Sequence, residues 1–214
     1  MIHLARHGET TWNIEGRYQG RLESPLSPLG IRQGEALANS YAERIRRGER
    51  VPTRVISSPQ SRCVETARFS ARVLGLRVET DERIVEIGHG TWEGRLREEI
   101  AKNDPQRYRA WREDPAHVAF DGGECLADVD RRWREFAASL TGTPDDILIV
   151  THDAVVRIAL LAAEERAFGD FRKPKVENGA YARLEPNRDE WTMVEECVTR
   201  HLHDLRADVT GQAL

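Results

Sequence analysis

Short apolar runs alternate with longer stretches of helical period along this chain. Residues 2–5 (Ile2-His3-Leu4-Ala5), 54–57 and 76–79 have the pattern of buried strands, and 146–151 is the most strand-like run. Ser27-Pro28 has the form of a helix N-cap with a first-turn proline. The helix it opens carries Ile31, Ala38, Tyr41 and Ile45 near helical spacing, runs to about residue 47 and is stopped by Gly48. Ser58-Pro59 repeats that signal and opens a second helix through Val64, Ala67, Ala71 and Leu74 to Gly75. Residues 81–94 hold too many glycines for regular structure and are expected to be a functional or connecting loop. Residues 96–114 are helical but broken at Pro105, 125–140 make an amphipathic helix, and a further helix covers about 154–163. Residues 179–184 and 191–198 pair as final strands around Pro186-Asn187-Arg188-Asp189. Strands alternating with helices predict an α/β fold. The expectation is a single three-layer domain over residues 1–214, with a mainly parallel central sheet, helices on both faces and a small helical cap at about 94–123.

Composition narrows the function without choosing it. A chain of 214 residues suits one large domain and buries roughly 70% of its unfolded surface, so it needs no metal or disulfide to fold. The 39% hydrophobic and 32% charged residues are those of a globular protein, not a disordered one. The formal net charge of −4 disfavours nucleic acid and acidic membranes as partners, since both demand a broad basic surface. No apolar run approaches the ~20 residues of a membrane span. Met1-Ile2-His3-Leu4 enters a strand at once, without a signal-peptide pattern. Cys63, Cys125 and Cys197 are odd in number and form no CxxC pair. Three reduced cysteines in a cytoplasmic protein are expected.

In open α/β sheets, ligands bind beyond the carboxyl ends of the strands. Arg6 and His7 follow the first strand, Arg62 lies in the turn after the second, and His152 follows the strongest. A lone histidine is more often structural than catalytic, and a lone arginine is usually a surface charge. Four residues in the same kind of position weaken the chance explanation. Helix N-termini at that edge add free N–H groups suited to a phosphate. Phosphate-monoester hydrolysis is among the slowest uncatalysed reactions, and a covalent intermediate splits it into two easier steps. Imidazole is a nucleophile only when neutral, and neighbouring cations disfavour its protonated form. Arg6 and Arg62 would therefore keep His7 neutral while clamping phosphate oxygens, with His152 as a further donor. Gly8, lacking a Cβ, would let the backbone approach the phosphate. Glu86, in the loop after the third strand, is the candidate proton donor to the leaving alkoxide, because a dianionic phosphate would raise its pKa.

These residues resemble the histidine phosphatase superfamily, which includes cofactor-dependent phosphoglycerate mutases and many small-molecule phosphatases. Arg6-His7-Gly8-Glu9-Thr10 with Asn13 is similar to its defining N-terminal motif, and Tyr18-Gln19-Gly20 with Pro25-Leu26-Ser27-Pro28-Leu29-Gly30 to the usual continuation. Ser57-Ser58-Pro59-Gln60-Ser61-Arg62, leading to Thr66-Ala67, resembles the second arginine motif, residues 86–94 the proton-donor loop, and Val150-Thr151-His152 the second-histidine motif. The resemblance implies that His7 is the phosphorylated nucleophile and Glu86 the proton donor. It implies that Arg6, Arg62 and His152 bind phosphate, with Asn13, Gln19 and Gly20 adding phosphate or substrate contacts. The implied substrate is a small phosphate monoester and the product inorganic phosphate, with no metal or organic cofactor. A homodimer is left open.

One position departs from the pattern. The family commonly has glycine after the second histidine, and this chain has Asp153. Its side chain is expected to point away from phosphate or to pair with a cation such as Arg157, one turn later. Mutases of the family carry a tyrosine in the donor loop and an adjacent arginine pair in the insert. Here the loop is Gly88-His89-Gly90-Thr91-Trp92, and Arg107, Arg109 and Arg112 are scattered, while Arg131-Arg132 lie in a later helix. Gly122-Gly123-Glu124 resembles the phosphatase branch, so hydrolysis is favoured over mutase chemistry. A non-catalytic phosphate- or phosphoprotein-binding module is the rival from another class, and it would not need an acid. The His201/His203 pair lacks partners for a recognised metal site. Trp133 is expected in the core and Trp92 and Trp111 in the cap, while the arginines of 44–50 complement a helix end.

Overall fold

Successive side chains of a strand point to opposite faces, and here both faces are apolar, as a parallel sheet covered on each side requires. The computed structural model describes residues 1–187 and 190–213. Strands β1 (Ile2–Arg6), β2 (Arg54–Ser57), β3 (Val78–Thr80), β4 (Ile147–Thr151), β5 (Tyr181–Asn187) and β6 (Glu190–Val198) form one six-stranded sheet in the order β3-β2-β4-β1-β5-β6. The first four in that order run parallel. β5 is antiparallel to β1, and β6 to β5. The helices are α1 (Thr11–Glu15), α2 (Pro28–Arg46), α3 (Ser61–Leu74), α4 (Arg97–Asn103), α5 (Pro105–Glu113), α6 (Leu126–Ala138) and α7 (Asp153–Ala163). Leu4, Ile56, Ile147 and Ile149 pack with Val129, Trp133 and Phe136 of α6 and Val155, Ile158 and Ala159 of α7. Their neighbours Ala5, Val55, Leu148 and Val150 pack on the other face with Leu37 and Tyr41 of α2 and Cys63, Ala67 and Ala71 of α3. The result is a three-layer α/β domain, as the alternation predicts.

Ser27 caps α2 as expected, its hydroxyl accepting from the Gly30 N–H at 3.0 Å. Ser58 does not cap α3. Its N–H is still in the sheet, donating to the Val150 carbonyl at 2.9 Å, and the helix starts three residues later with Gln60 in the cap position. Continued strand pairing overrides the local capping signal there. Pro105 is the first residue of α5, where a missing N–H costs nothing. The third strand sits slightly later than its expected 76–79. Residues 81–94 contain two short 3₁₀ turns, Glu82–Ile84 and Gly90–Trp92. α1 is the element the hydrophobic period does not disclose. Five residues are too few for a period, but Thr10 and Asn13 form a capping box and Gly16 ends the helix with φ 67°. Arg188 and Asp189, half of the expected final turn, lie outside the described residues.

The start of α2 lies hard against the segment that follows β1. A Cβ on Gly30 would come 2.0 Å from the Glu9 carbonyl oxygen, and one on Gly8 would come 2.4 Å from the Gly30 carbonyl oxygen. Both neighbours are backbone and cannot turn aside. Gly30→Ala is therefore expected to destabilise the fold by about 1–3 kcal/mol, the usual cost of overpacking. Urea denaturation measures this, and an unchanged midpoint would contradict the close approach.

Candidate active site

Arg6 is the last residue of β1, and His7 follows it. The His7 backbone is pinned on both sides: its N–H donates to the Thr151 carbonyl at 2.9 Å, and its carbonyl accepts from Gly179 N–H and the Asn178 amide. The His7 Nδ1 lies 2.7 Å from the Gly8 carbonyl oxygen. A carbonyl only accepts, so Nδ1 carries the proton and Nε2 of the neutral ring keeps its lone pair. The His152 ring stands 5.3 Å from the His7 ring at 67°. Arg62, in the first turn of α3, donates from Nε to His152 Nδ1 at 3.3 Å. That leaves His152 Nε2 as the donor to Ser58 Oγ at 2.8 Å. The Arg62 guanidinium is held by the carbonyls of Leu22 and Gly20, each at 2.8 Å. Thr66 Oγ1 accepts from the Gly8 N–H at 3.1 Å. All four basic residues are buried.

Burial, then Arg62 and Arg6, hold His7 well below the ordinary histidine range, against a smaller opposing pull from the Gly8 carbonyl. His152 is lowered by burial first, then by Arg62 and His7. Both rings are therefore neutral near pH 7. Glu86 is pushed up to about 7 by burial and then by Asp153, against the Ile87 N–H, Arg62 and Arg6. Its Oε1 accepts from that N–H at 2.9 Å. A neutral imidazole under the influence of two guanidinium charges, in a site whose carboxyl group titrates near neutrality, can take an electrophile and supply a proton.

Asn13 and Gly20 also join the cluster, and Gln19 only indirectly. Asn13 Nδ2 donates to Gln212 Oε1 at 3.2 Å, and its Oδ1 caps Thr10. The Gly20 carbonyl grips both Arg62 and Gln60. Gln19 Oε1 accepts from the Thr10 hydroxyl. Four participants were given no role in the site by sequence reasoning. Gln212 Oε1 receives Arg6 Nη2 as well as Asn13, and Gln212 Nε2 donates to Asn178 at 2.8 Å. Gln60 binds the Glu86 N–H through Oε1, so it ties the acid loop to α3. Ser58 belongs here through His152. Three residues after Glu86, His89 lies among Tyr18, Trp111 and Phe120, with ring centroids 5.0, 5.9 and 4.8 Å away. Neither His89 ring nitrogen nor the Tyr18 hydroxyl has a hydrogen-bond partner among the described residues. Burial, with Arg172 and Arg62, lowers His89 to about 3, so this ring is neutral.

Trp133 is in the core as expected, and Trp92 and Trp111 are buried in the same apolar cluster. His201 donates to the Gly179 carbonyl at 2.9 Å and stacks on Tyr181. Among the described residues no group of three His, Cys, Asp or Glu could hold a metal ion.

Residues 2–199 match the family model of the histidine phosphatase superfamily (branch 1). Phosphoserine phosphatase 1 of Hydrogenobacter thermophilus is 33% identical over 207 residues, 94% of each chain. Glucosyl-3-phosphoglycerate phosphatase of Mycobacterium tuberculosis is 35% identical over 170 residues, 75% of this chain and 73% of that one. The solved structure of Bacillus stearothermophilus YhfR matches at a TM-score of 0.85 and 28% identity, over 94% of this chain and 98% of that one. Fold and relatives together make this chain a phosphoric monoester hydrolase. Within that class it belongs to the histidine phosphatase superfamily, branch 1. No described helix is long and apolar enough to cross a membrane.

Proposed function

We propose that the chain hydrolyses small phosphate monoesters through a phosphohistidine on His7. The observation that carries this reading is the state of His7: neutral beside Arg6 and Arg62, its Nδ1 proton committed to the Gly8 carbonyl, its Nε2 lone pair free to attack. As Nε2 bonds to phosphorus, the bond to the ester oxygen breaks, and Glu86 gives its proton to the departing alkoxide. Water then attacks the phosphohistidine, Glu86 takes a proton back, and the P–N electrons return to Nε2 as inorganic phosphate leaves. Arg6, Arg62 and His152 bind the phosphoryl oxygens, with Asn13, Gln19 and the Gly20 backbone bounding the pocket. The cations neutralise charge that spreads over those oxygens in the transition state.

Residues 94–123, read as a cap, would shape the leaving-group side. Trp111 from α5 packs 5.0 Å from Phe120 and 5.9 Å from His89, which favours this reading. Cys63, Cys125 and Cys197 are free, as suits a reducing cytoplasmic compartment. A panel of phosphoserine, glucosyl-3-phosphoglycerate, 3-phosphoglycerate and p-nitrophenyl phosphate, run in EDTA, tests the reading. Release of inorganic phosphate from at least one of them is expected. Loss of all activity in EDTA would point to a metal-dependent phosphoesterase. Conversion of 3-phosphoglycerate into 2-phosphoglycerate without phosphate release, given trace 2,3-bisphosphoglycerate, would make the chain a mutase. Binding of phosphate without turnover would make it a binding module.

A further inference from the structure

Asp153 stands where a carboxylate is least expected, directly after His152 and 1% exposed. A buried carboxylate is tolerated only when paired. Asp153 has two partners. Its Oδ2 accepts from Arg157 Nε at 2.6 Å, the pairing its sequence position predicts. Its Oδ1 lies 3.4 Å from Arg6 Nη1, so it has not turned away from the phosphate-binding cations. Arg157 is fixed in turn by the Pro174 carbonyl at 2.7 Å and by its stacking over the Phe171 ring. The carboxylate thus stands between two arginines, hydrogen-bonded to Arg157 and in a longer charge contact with Arg6, its Oδ1 without a hydrogen bond among the described residues.

We propose that Asp153 is a positioning residue for the phosphoryl transfer: it bridges Arg6 and Arg157, and its fixed negative charge keeps the proton on Glu86 for the leaving group. This inference rests on the phosphatase reading and on Glu86 as the acid. The charges bearing on Glu86 come from three elements, Arg62 on α3, Arg6 on β1 and Asp153 on α7. His7 and His152 are neutral. Burial is the largest influence and favours the protonated carboxyl, and Asp153 adds to it, while the Ile87 N–H and the two arginines pull toward the ionised form. Asp153 opposes both arginines. It holds its own charge because Arg157, Arg6 and Arg172 outweigh the burial that would neutralise it. A family member with glycine in this place has no such charge, so proton retention on Glu86 is tuned here by the residue after the second histidine.

Asp153→Asn keeps the shape and removes the charge. The test follows kcat/KM for phosphoserine against pH in wild type, Asp153→Asn and Glu86→Gln. The basic limb is expected to move down by about one pH unit in Asp153→Asn. With p-nitrophenyl phosphate, whose phenolate leaves without a proton, the burst rate is expected to fall only by what loosening Arg6 costs, by the same factor at every pH and with no shifted limb. An unmoved limb, or equal losses on both substrates at every pH, would overturn the inference. Asp153→Gly is the second variant. Failure of both to fold would assign Asp153 a purely structural role and overturn it as well. A wild-type limb that Glu86→Gln leaves intact would instead sink the Glu86 reading itself, whatever Asp153 does.

Discussion

Replacing His7 with alanine is expected to lower kcat for any phosphate monoester by roughly 10⁴- to 10⁶-fold, the range seen when covalent hydrolases lose a nucleophile or its activating partner. The loss is large because His152, the other imidazole of the site among the described residues, does not offer a free lone pair in the same place. His152, 5.3 Å away ring to ring, has its Nδ1 occupied by Arg62 and its Nε2 directed to Ser58. What remains in the variant is a pocket of cations that still binds phosphate, so affinity for inorganic phosphate should fall far less than kcat. Rapid quenching of the wild type with ³²P-labelled substrate should trap a phosphoryl group on the protein, and the variant should trap none. Turnover within tenfold of wild type, or undiminished labelling of His7→Ala, would remove His7 from the role of acceptor.

How the site is assembled explains which parts of it were legible in the sequence. Arg6, His7, Arg62 and His152 each end or follow a strand or open a helix, and in a parallel sheet those positions share one edge by topology alone. Their convergence therefore follows from local patterns, and the two faces of the sheet follow from alternation within each strand. Glu86 had no such signature. It lies in an irregular loop of a glutamate-rich chain, so its place after the third strand made it only one candidate, and the resemblance is what raised it above a surface glutamate. Gln212 and Asn178 were invisible for a different reason. Gln212 reaches Arg6 across a separation of 206 residues, and nothing in the neighbourhood of either announces the contact. Ser58 was legible but misread, because a serine before a proline is a capping signal and here the sheet retains it. Asp153 was correctly paired with Arg157 from helical spacing. Its second partner, Arg6, comes from another strand, and spacing along α7 could not reveal it.

Glu86→Gln is expected to lower kcat/KM for an alkyl monoester that the wild type hydrolyses by about 10²- to 10⁴-fold and to remove the basic limb of its pH profile. The sign follows from the direction of the shift. Glu86 must carry a proton to donate it, and burial with Asp153 places its titration at about 7. Wild-type activity on a poor leaving group is therefore full below that pH and falls above it. His7 must be neutral, and burial with Arg62 and Arg6 moves its titration well below 6.5, so the acidic limb lies far to the acid side. Activity should consequently peak on the acidic side of neutrality. Glutamine preserves the shape but has no proton to give and cannot take one back. With p-nitrophenyl phosphate the first step survives in the variant, and the second, in which water attacks the phosphohistidine, does not. A burst of about one equivalent of p-nitrophenolate per enzyme, followed by slow turnover, is the expected trace. A variant that keeps turnover of that alkyl monoester within threefold of wild type, or keeps the basic limb where it was, would show that the leaving group gets its proton elsewhere.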